Sequence, residues 1–173
     1  MNIFISGGSG FIGNNLIKFL LSKKFKILAL SRRKNFSRSR LKFIKGDLNL
    51  SVKNFSLIKQ FKPKIIVNLA WEGIPNYSSK MLNKNLKDQK IFLSKIKNIK
   101  SVQKIIMTGT CLEYENMSYP YKEDKKFKPH SLFPVIKLKL RKYLFDIFKN
   151  IEVTWLILFY VYGKGQKKKS LIP

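Results

Sequence analysis

The segment Asn2-Ile3-Phe4-Ile5-Ser6-Gly7-Gly8-Ser9-Gly10-Phe11-Ile12-Gly13-Asn14-Asn15-Leu16 decides the fold. Its opening residues are rich in Ile and Phe, the composition of a buried strand, and they run straight into a turn in which three of four positions are glycine. Past Gly10 the apolar pattern becomes helical, with Ile12, Leu16, Phe19 and Leu20 on one stripe. Working outward, the same alternation repeats. Strands are expected at Asn2 to Ser6, Phe25 to Leu30, Lys42 to Ile44, Lys64 to Leu69, Gln103 to Thr108 and Glu152 to Leu158. Helices are expected over Phe11 to Ser22, Met81 to Ile99 and Leu132 to Phe148, the last with Ser131 as N-cap and Pro134 in the first turn, where its missing N–H costs little. Short apolar runs alternating with longer helical patterns predict an α/β chain: a doubly wound parallel sheet with helices on both faces, read as one domain over residues 1–173.

Composition bounds the function. With 173 residues, 45% of them hydrophobic, the chain has enough apolar surface for one sizeable core, which excludes a disordered tail. Its apolar runs, such as Ile65 to Ala70 and Trp155 to Val161, fall short of the ~20 residues of a membrane span. The single Cys111 forms no internal disulfide, and with the single His130 it makes no metal-ligand set. A cytoplasmic, metal-free chain without a membrane partner is the expectation. The net charge of +27 raises nucleic acid as a partner, but only Arg32, Arg33, Arg38, Arg40 and Arg141 among 36 basic residues carry the guanidinium fork. The lysines are scattered, Lys167-Lys168-Lys169 being the only tight run, so a solvated lysine surface is preferred and nucleic acid is the minor alternative.

The glycine turn has a mechanism. Gly7 to Gly13 fits both a Gly8-x-Gly10-x-x-Gly13 and a Gly7-x-x-Gly10-x-x-Gly13 spacing. Glycine permits the tight turn and lets the backbone approach a pyrophosphate, whose charge meets the N–H groups that open the helix. The segment therefore reads as a dinucleotide fingerprint. No Asp or Glu occurs before Asp47, so an acid after the second strand to hold the ribose 2′-hydroxyl of NAD is absent. Ser31-Arg32-Arg33 stands there instead, and guanidiniums suit a 2′-phosphate, which favours NADP with NAD as the alternative. Asp47, in Gly46-Asp47-Leu48, is positioned either to accept from an adenine amino group or to cap a turn.

These residues resemble the extended short-chain dehydrogenases, the NAD(P)-dependent epimerases and dehydratases of nucleotide-linked sugars, which have a Rossmann fold. Gly7, Gly10, Phe11, Ile12 and Gly13 match the glycine motif, Asp47 and Leu48 the adenine contact, and Leu69 and Ala70 the fourth-strand segment beside the cofactor. Within the family, Ala70-Trp71-Glu72-Gly73, Thr108 to Tyr114, Leu140-Arg141-Lys142 and Phe159 to Gln166 are similar to the reductases of dTDP-4-keto-6-deoxyhexoses. The resemblance implies a nucleotide-sugar substrate and hydride transfer at sugar C4, with Thr110 as the catalytic Ser/Thr. It also implies that a Tyr-x-x-x-Lys pair passes the proton. The matching stretch here is Phe133-Pro134-Val135-Ile136-Lys137. Phe133 replaces the tyrosine and has no hydroxyl, whereas Lys137 keeps the role of holding the nicotinamide ribose. The alternative, of another class, is a catalytically silent NADP-binding module.

Two further departures are visible. Ile157 stands where the family usually has Arg, and the family continues well past Leu171-Ile172-Pro173, so residues 159–173 are read as the start of a largely missing substrate lobe. A half-built pocket would expose apolar surface, for which a partner chain or homo-oligomer is expected. Tyr114 and Tyr160 are the remaining hydroxyls considered near the carbonyl, and Trp71 and Tyr114 read equally as packing or core. His130 is expected in a solvated loop and Cys111 as a small strand-end apolar residue. Glu113 and Glu115, alternating on an extended segment, are not assigned acid-base work because neither has an evident partner that would raise its pKa.

Overall fold

A computed structural model describes residues 1–33, 37–114, 122–123 and 127–166. Its elements are β1 (Asn2–Ser6), α1 (Phe11–Ser22), β2 (Lys26–Ser31), β3 (Leu41–Lys45), α2 (Val52–Phe61), β4 (Ile65–Asn68), α3 (Ser79–Ile96), β5 (Lys104–Thr110), α4 (Leu132–Ile147) and β6 (Glu152–Leu158), with a 3₁₀ turn at Cys111–Glu113. The strands pair in parallel in the order β3-β2-β1-β4-β5-β6. The direction of winding reverses between β1 and β4, and a doubly wound sheet binds its ligands in the crevice beyond the carboxyl ends of the strands at that point.

Alternation along the strands makes two cores. Ile3, Ile5, Ile27, Ala29 and Val67 point to the face covered by α1 through Ile17. Phe4, Leu28, Leu30, Ile66, Ile105 and Met107 point to the other face, covered by Ile58 of α2, Phe92, Leu93 and Ile96 of α3, and Leu140 and Leu144 of α4. Residues of both central strands are therefore almost wholly apolar, as parallel strands buried on two faces require.

The expected α/β architecture is present, with corrections at its edges. Helix α2 lies outside the expected set; it is announced by Ser51, whose hydroxyl accepts from Asn54 N–H (3.2 Å), but only Ile58 in it is buried, so its apolar signal is weak. Helix α3 starts two residues before Met81 and ends at Ile96 rather than Ile99, and α4 stops at Ile147. Ser131 occupies the N-cap position of α4 without a side-chain capping bond. Strand β5 continues two residues beyond Thr108, so Gly109 and Thr110 pair with β6. Glu113 lies in the 3₁₀ turn, not in an extended segment, while Glu115, Lys167 to Lys169 and Leu171 to Pro173 fall outside the described residues. Among the described residues no helix is long and apolar enough to cross a membrane.

Candidate active site

The glycine turn sits where β1 ends, in the crevice at the switch point. Gly7 has φ +72°, a left-handed conformation, and a Cβ there would lie 2.8 Å from the main-chain nitrogen of Ala70. At Gly13 a Cβ would lie 2.3 Å from the Gly7 carbonyl oxygen, so the first turn of α1 is pressed against the loop that precedes it. Gly10 is the N-cap, and its carbonyl accepts from Asn14 N–H at 2.9 Å. Phe11 and Ile12 line a cavity of about 330 Å³ together with Val161, Tyr162 and Lys164 from the segment after β6.

A buried polar chain fixes the wall opposite the turn. The Ser6 hydroxyl donates to Asn68 Oδ1, Asn68 Nδ2 donates to Gln89 Oε1 (2.6 Å), and Gln89 Nε2 donates to the Ala70 carbonyl (2.5 Å). All three side chains are at most 2% exposed, so every bond satisfies a group that water does not reach. One turn earlier on α3, Asn85 accepts from Glu72 N–H (2.8 Å) and donates to the Glu72 carbonyl (3.0 Å). Leu69 and Ala70 lie against Gly7 of the glycine turn, with the Ala70 carbonyl held by Gln89 and the main chain of Glu72 by Asn85.

At the end of β2, the Ser31 hydroxyl donates to Ser9 Oγ (2.8 Å), tying that strand to the glycine turn. Arg32 and Arg33 are exposed, and Arg32 forms an ion pair with Glu72 (2.7 Å). Asp47 Oδ1 accepts from Asn49 N–H (2.9 Å), so it caps a turn, while Leu48 behind it is buried.

The other end of the crevice centres on Lys137. Its Nζ donates to the Thr108 carbonyl (2.9 Å) and lies 4.0 Å from the centroid of the Trp71 ring. Burial lowers its pKa from the ordinary 10.5 to about 8, against an opposing pull from Glu113. Phe133, 7% exposed, packs with Leu82 and Ile136, edge-on to Trp71. Thr110 is half-buried; its Oγ1 accepts from Leu112 N–H (3.4 Å) and its N–H donates to Glu113 Oε1 (2.8 Å).

The structure corrects the view of Glu113. It is fully buried, Trp155 Nε1 donates to its Oε2 (3.0 Å), and burial raises its pKa, with the hydrogen bonds from Thr110 and Trp155 opposing. Cys111 is buried, with its thiol pushed up by desolvation, and His130 is exposed. Tyr114 is buried with its ring against Phe127, and Tyr160 is 64% exposed. Tyr77, not singled out from the sequence, places its ring 4.8 Å from Phe133. It lies in the loop before α3 with no spacing relation to the Phe133–Lys137 pair, so no sequence signal connects them. Ile157 lies opposite Gly109 in the β5–β6 register.

Comparison with known proteins places this geometry. A dTDP-6-deoxy-L-talose 4-dehydrogenase (NAD(+)) of Aggregatibacter actinomycetemcomitans is 24% identical over 99% of this chain and 65% of its own length. The UDP-glucuronic acid 4-epimerase of Bacillus cereus, solved with UDP-glucuronic acid and NAD, superposes with a TM-score of 0.82 at 24% identity, over 98% of this chain and 60% of the epimerase. The dTDP-glucose 4,6-dehydratase of Bacillus anthracis, solved with NAD, gives 0.80 at 21% identity, over 99% and 58%. The chain thus spans about 60% of the length of these proteins, and at such identities the structural likeness speaks for the fold alone. The family model of the NAD dependent epimerase/dehydratase family matches residues 3–173. With that match over nearly its whole length, the chain belongs to the NAD-dependent epimerase/dehydratase family, the extended branch of the short-chain dehydrogenases.

Proposed function

We propose that this chain binds an NAD(P) dinucleotide as the dinucleotide half of a nucleotide-sugar oxidoreductase resembling the dTDP-4-keto-6-deoxyhexose 4-reductases. One observation carries the reading: Gly7 to Gly13 form a turn at the β1/β4 switch point, backed onto Ala70 at a distance no side chain could share. Main-chain N–H groups at the start of α1 would hold the pyrophosphate, and Arg32 and Arg33 favour the phosphorylated cofactor, NADP. That the named relatives carry NAD supports the dinucleotide class. The cytoplasm, where dinucleotides and nucleotide sugars are held, is the proposed compartment.

A bound nicotinamide supplies or accepts the hydride at sugar C4. Lys137 would anchor its ribose, and Thr110 would meet a substrate oxygen. Phe133 offers no proton, and a general acid is worth about 10²–10⁴ in rate. The apolar packing of Phe133 against Leu82 and Ile136 favours a second reading, a binding module without turnover.

Thermal melting tests the dinucleotide reading that both share. NADPH and NADH are expected to raise Tm, NADPH more, with a stabilisation of about 2.7 kcal/mol at a hundredfold excess over Kd. A cooperative melt that neither cofactor shifts would refute the dinucleotide reading. If cofactor binds, Phe133→Tyr decides between the two: keto-sugar reduction gained by the variant supports the reductase, and intact binding without turnover supports the module.

A further inference from the structure

At the end of β2, Arg32 is paired with an acid from elsewhere in the chain. Arg32 follows β2 and Glu72 follows β4, and these strands flank β1 in the sheet. Adjacent strands lie about 4.8 Å apart, so an ion pair between them bridges roughly 10 Å over the end of β1, where the glycine turn begins. We propose that Glu72 is a built-in counter-ion that sets the selectivity between NADP and NAD, by competing with the 2′-phosphate for Arg32. The proposal rests on the dinucleotide reading above and adds to it a specificity-determining residue.

Three features make Glu72 more than a chance surface partner. Its main chain is clamped on both sides by Asn85, which is 4% exposed, so the loop delivers the carboxylate to one place. Its second oxygen accepts from Lys84 Nζ (2.5 Å), and Lys84 also bonds Asp88 (3.0 Å), so the carboxylate is braced from α3 while facing Arg32. The Lys84 hydrogen bond, aided by the charge of Arg32, holds Glu72 below the usual carboxylate range, and the group is ionised at neutral pH. An anion in that state satisfies the guanidinium when no phosphate is present and repels a phosphate that approaches it. NAD has the pyrophosphate in common with NADP but no 2′-phosphate to compete with Glu72 for Arg32.

The test measures affinities of NADP⁺, NAD⁺, 2′,5′-ADP and 5′-ADP by calorimetry on the wild-type chain, Glu72→Gln, Glu72→Asp, and Glu72→Gln combined with Arg32→Ala. Glu72→Gln keeps the Asn85 clamp on the main chain. It should tighten NADP⁺ and 2′,5′-ADP by about fivefold, the scale of one partly exposed charge pair, and leave NAD⁺ and 5′-ADP within about twofold. Glu72→Asp should keep a ratio near wild type, and the gain should vanish in the Arg32→Ala background. An unchanged ratio, an equal change in all four ligands, or a gain that survives Arg32→Ala would overturn the proposal. Binding of neither dinucleotide to any variant would refute the dinucleotide reading itself and this inference with it.

Discussion

At the glycine turn, backbone meets backbone and a chain of buried side-chain hydrogen bonds from Ser6 to Gln89 holds the opposite wall. At the other end of the same crevice, Phe133 packs among apolar side chains, and Lys137 has an aromatic face and one carbonyl as its near neighbours. The first region is built of groups whose polar needs are met and whose positions leave no slack. The second holds a cation in an apolar setting, with the hydroxyl expected beside it replaced by a phenyl ring. The two ends of the crevice are therefore separable: tolerance to change should be low at the turn, and the electrostatic cost should be concentrated at the lysine.

The largest expected effect is at the turn. Gly13→Ala places a methyl 2.3 Å from the Gly7 carbonyl oxygen, and since the atoms it meets are all main chain the loop must open. A loss of about 3 kcal/mol, the upper range for overpacking, is expected in chemical denaturation, together with loss of any cofactor-induced rise in Tm. A variant that melts like the wild type and still responds to NADPH would break the contrast.

Lys137 gives a smaller effect, with a sign set by linkage. Its folded-state pKa of about 8 lies below the ordinary 10.5, so between those values the unfolded chain binds more protons and stability rises with pH. The rise should be on the order of 2–3 kcal/mol, since one bound proton is worth about 1.4 kcal/mol for each step of one in pH across that interval. In Lys137→Met it should be absent when unfolding free energies are measured from about pH 7.5 to 10.5, the interval in which the two states bind protons differently. A variant with the same slope as wild type would place the alkaline dependence elsewhere.

The smallest effect belongs to Glu113. Replacing it by Gln leaves one acceptor oxygen for two donors, Thr110 N–H and Trp155 Nε1–H, and should cost about 1 kcal/mol. Because burial raises its pKa, the folded state holds this proton more tightly, so the carboxyl's contribution falls as pH rises through 4.5 to the folded value. Glu113→Gln should remove that component from an acid titration of stability.

Much of this is legible along the chain. β1, α1 and β6 end where the pattern of apolar residues places them, because each rests on spacing within a few residues. The weakly amphipathic α2 is not legible, since most of its surface is exposed and its periodicity carries little burial. Of the candidate site residues, the glycines and Lys137 stand out by motif, whereas for Asp47 the structure adds the turn-capping bond to Asn49 through one oxygen, Oδ1. Asn85 carries no signal, as an amide on a polar stretch looks like any solvated surface, and Glu72, though inside the Ala70-to-Gly73 motif, has nothing along the chain to mark Arg32 as its partner.

The sequence alone determined the order of the six strands and of the three helices α1, α3 and α4, the glycine turn between the first of each, and the phenyl ring in place of a phenol. Those follow from local periodicity and from chemistry that a side chain carries wherever it lies. Only the tertiary structure set Glu72 against Arg32, forty positions earlier, and laid the Lys137 ammonium on the Trp71 ring. Such contacts depend on which strands become neighbours and on how tightly α3 and α4 pack beneath them, and no spacing within one element encodes either.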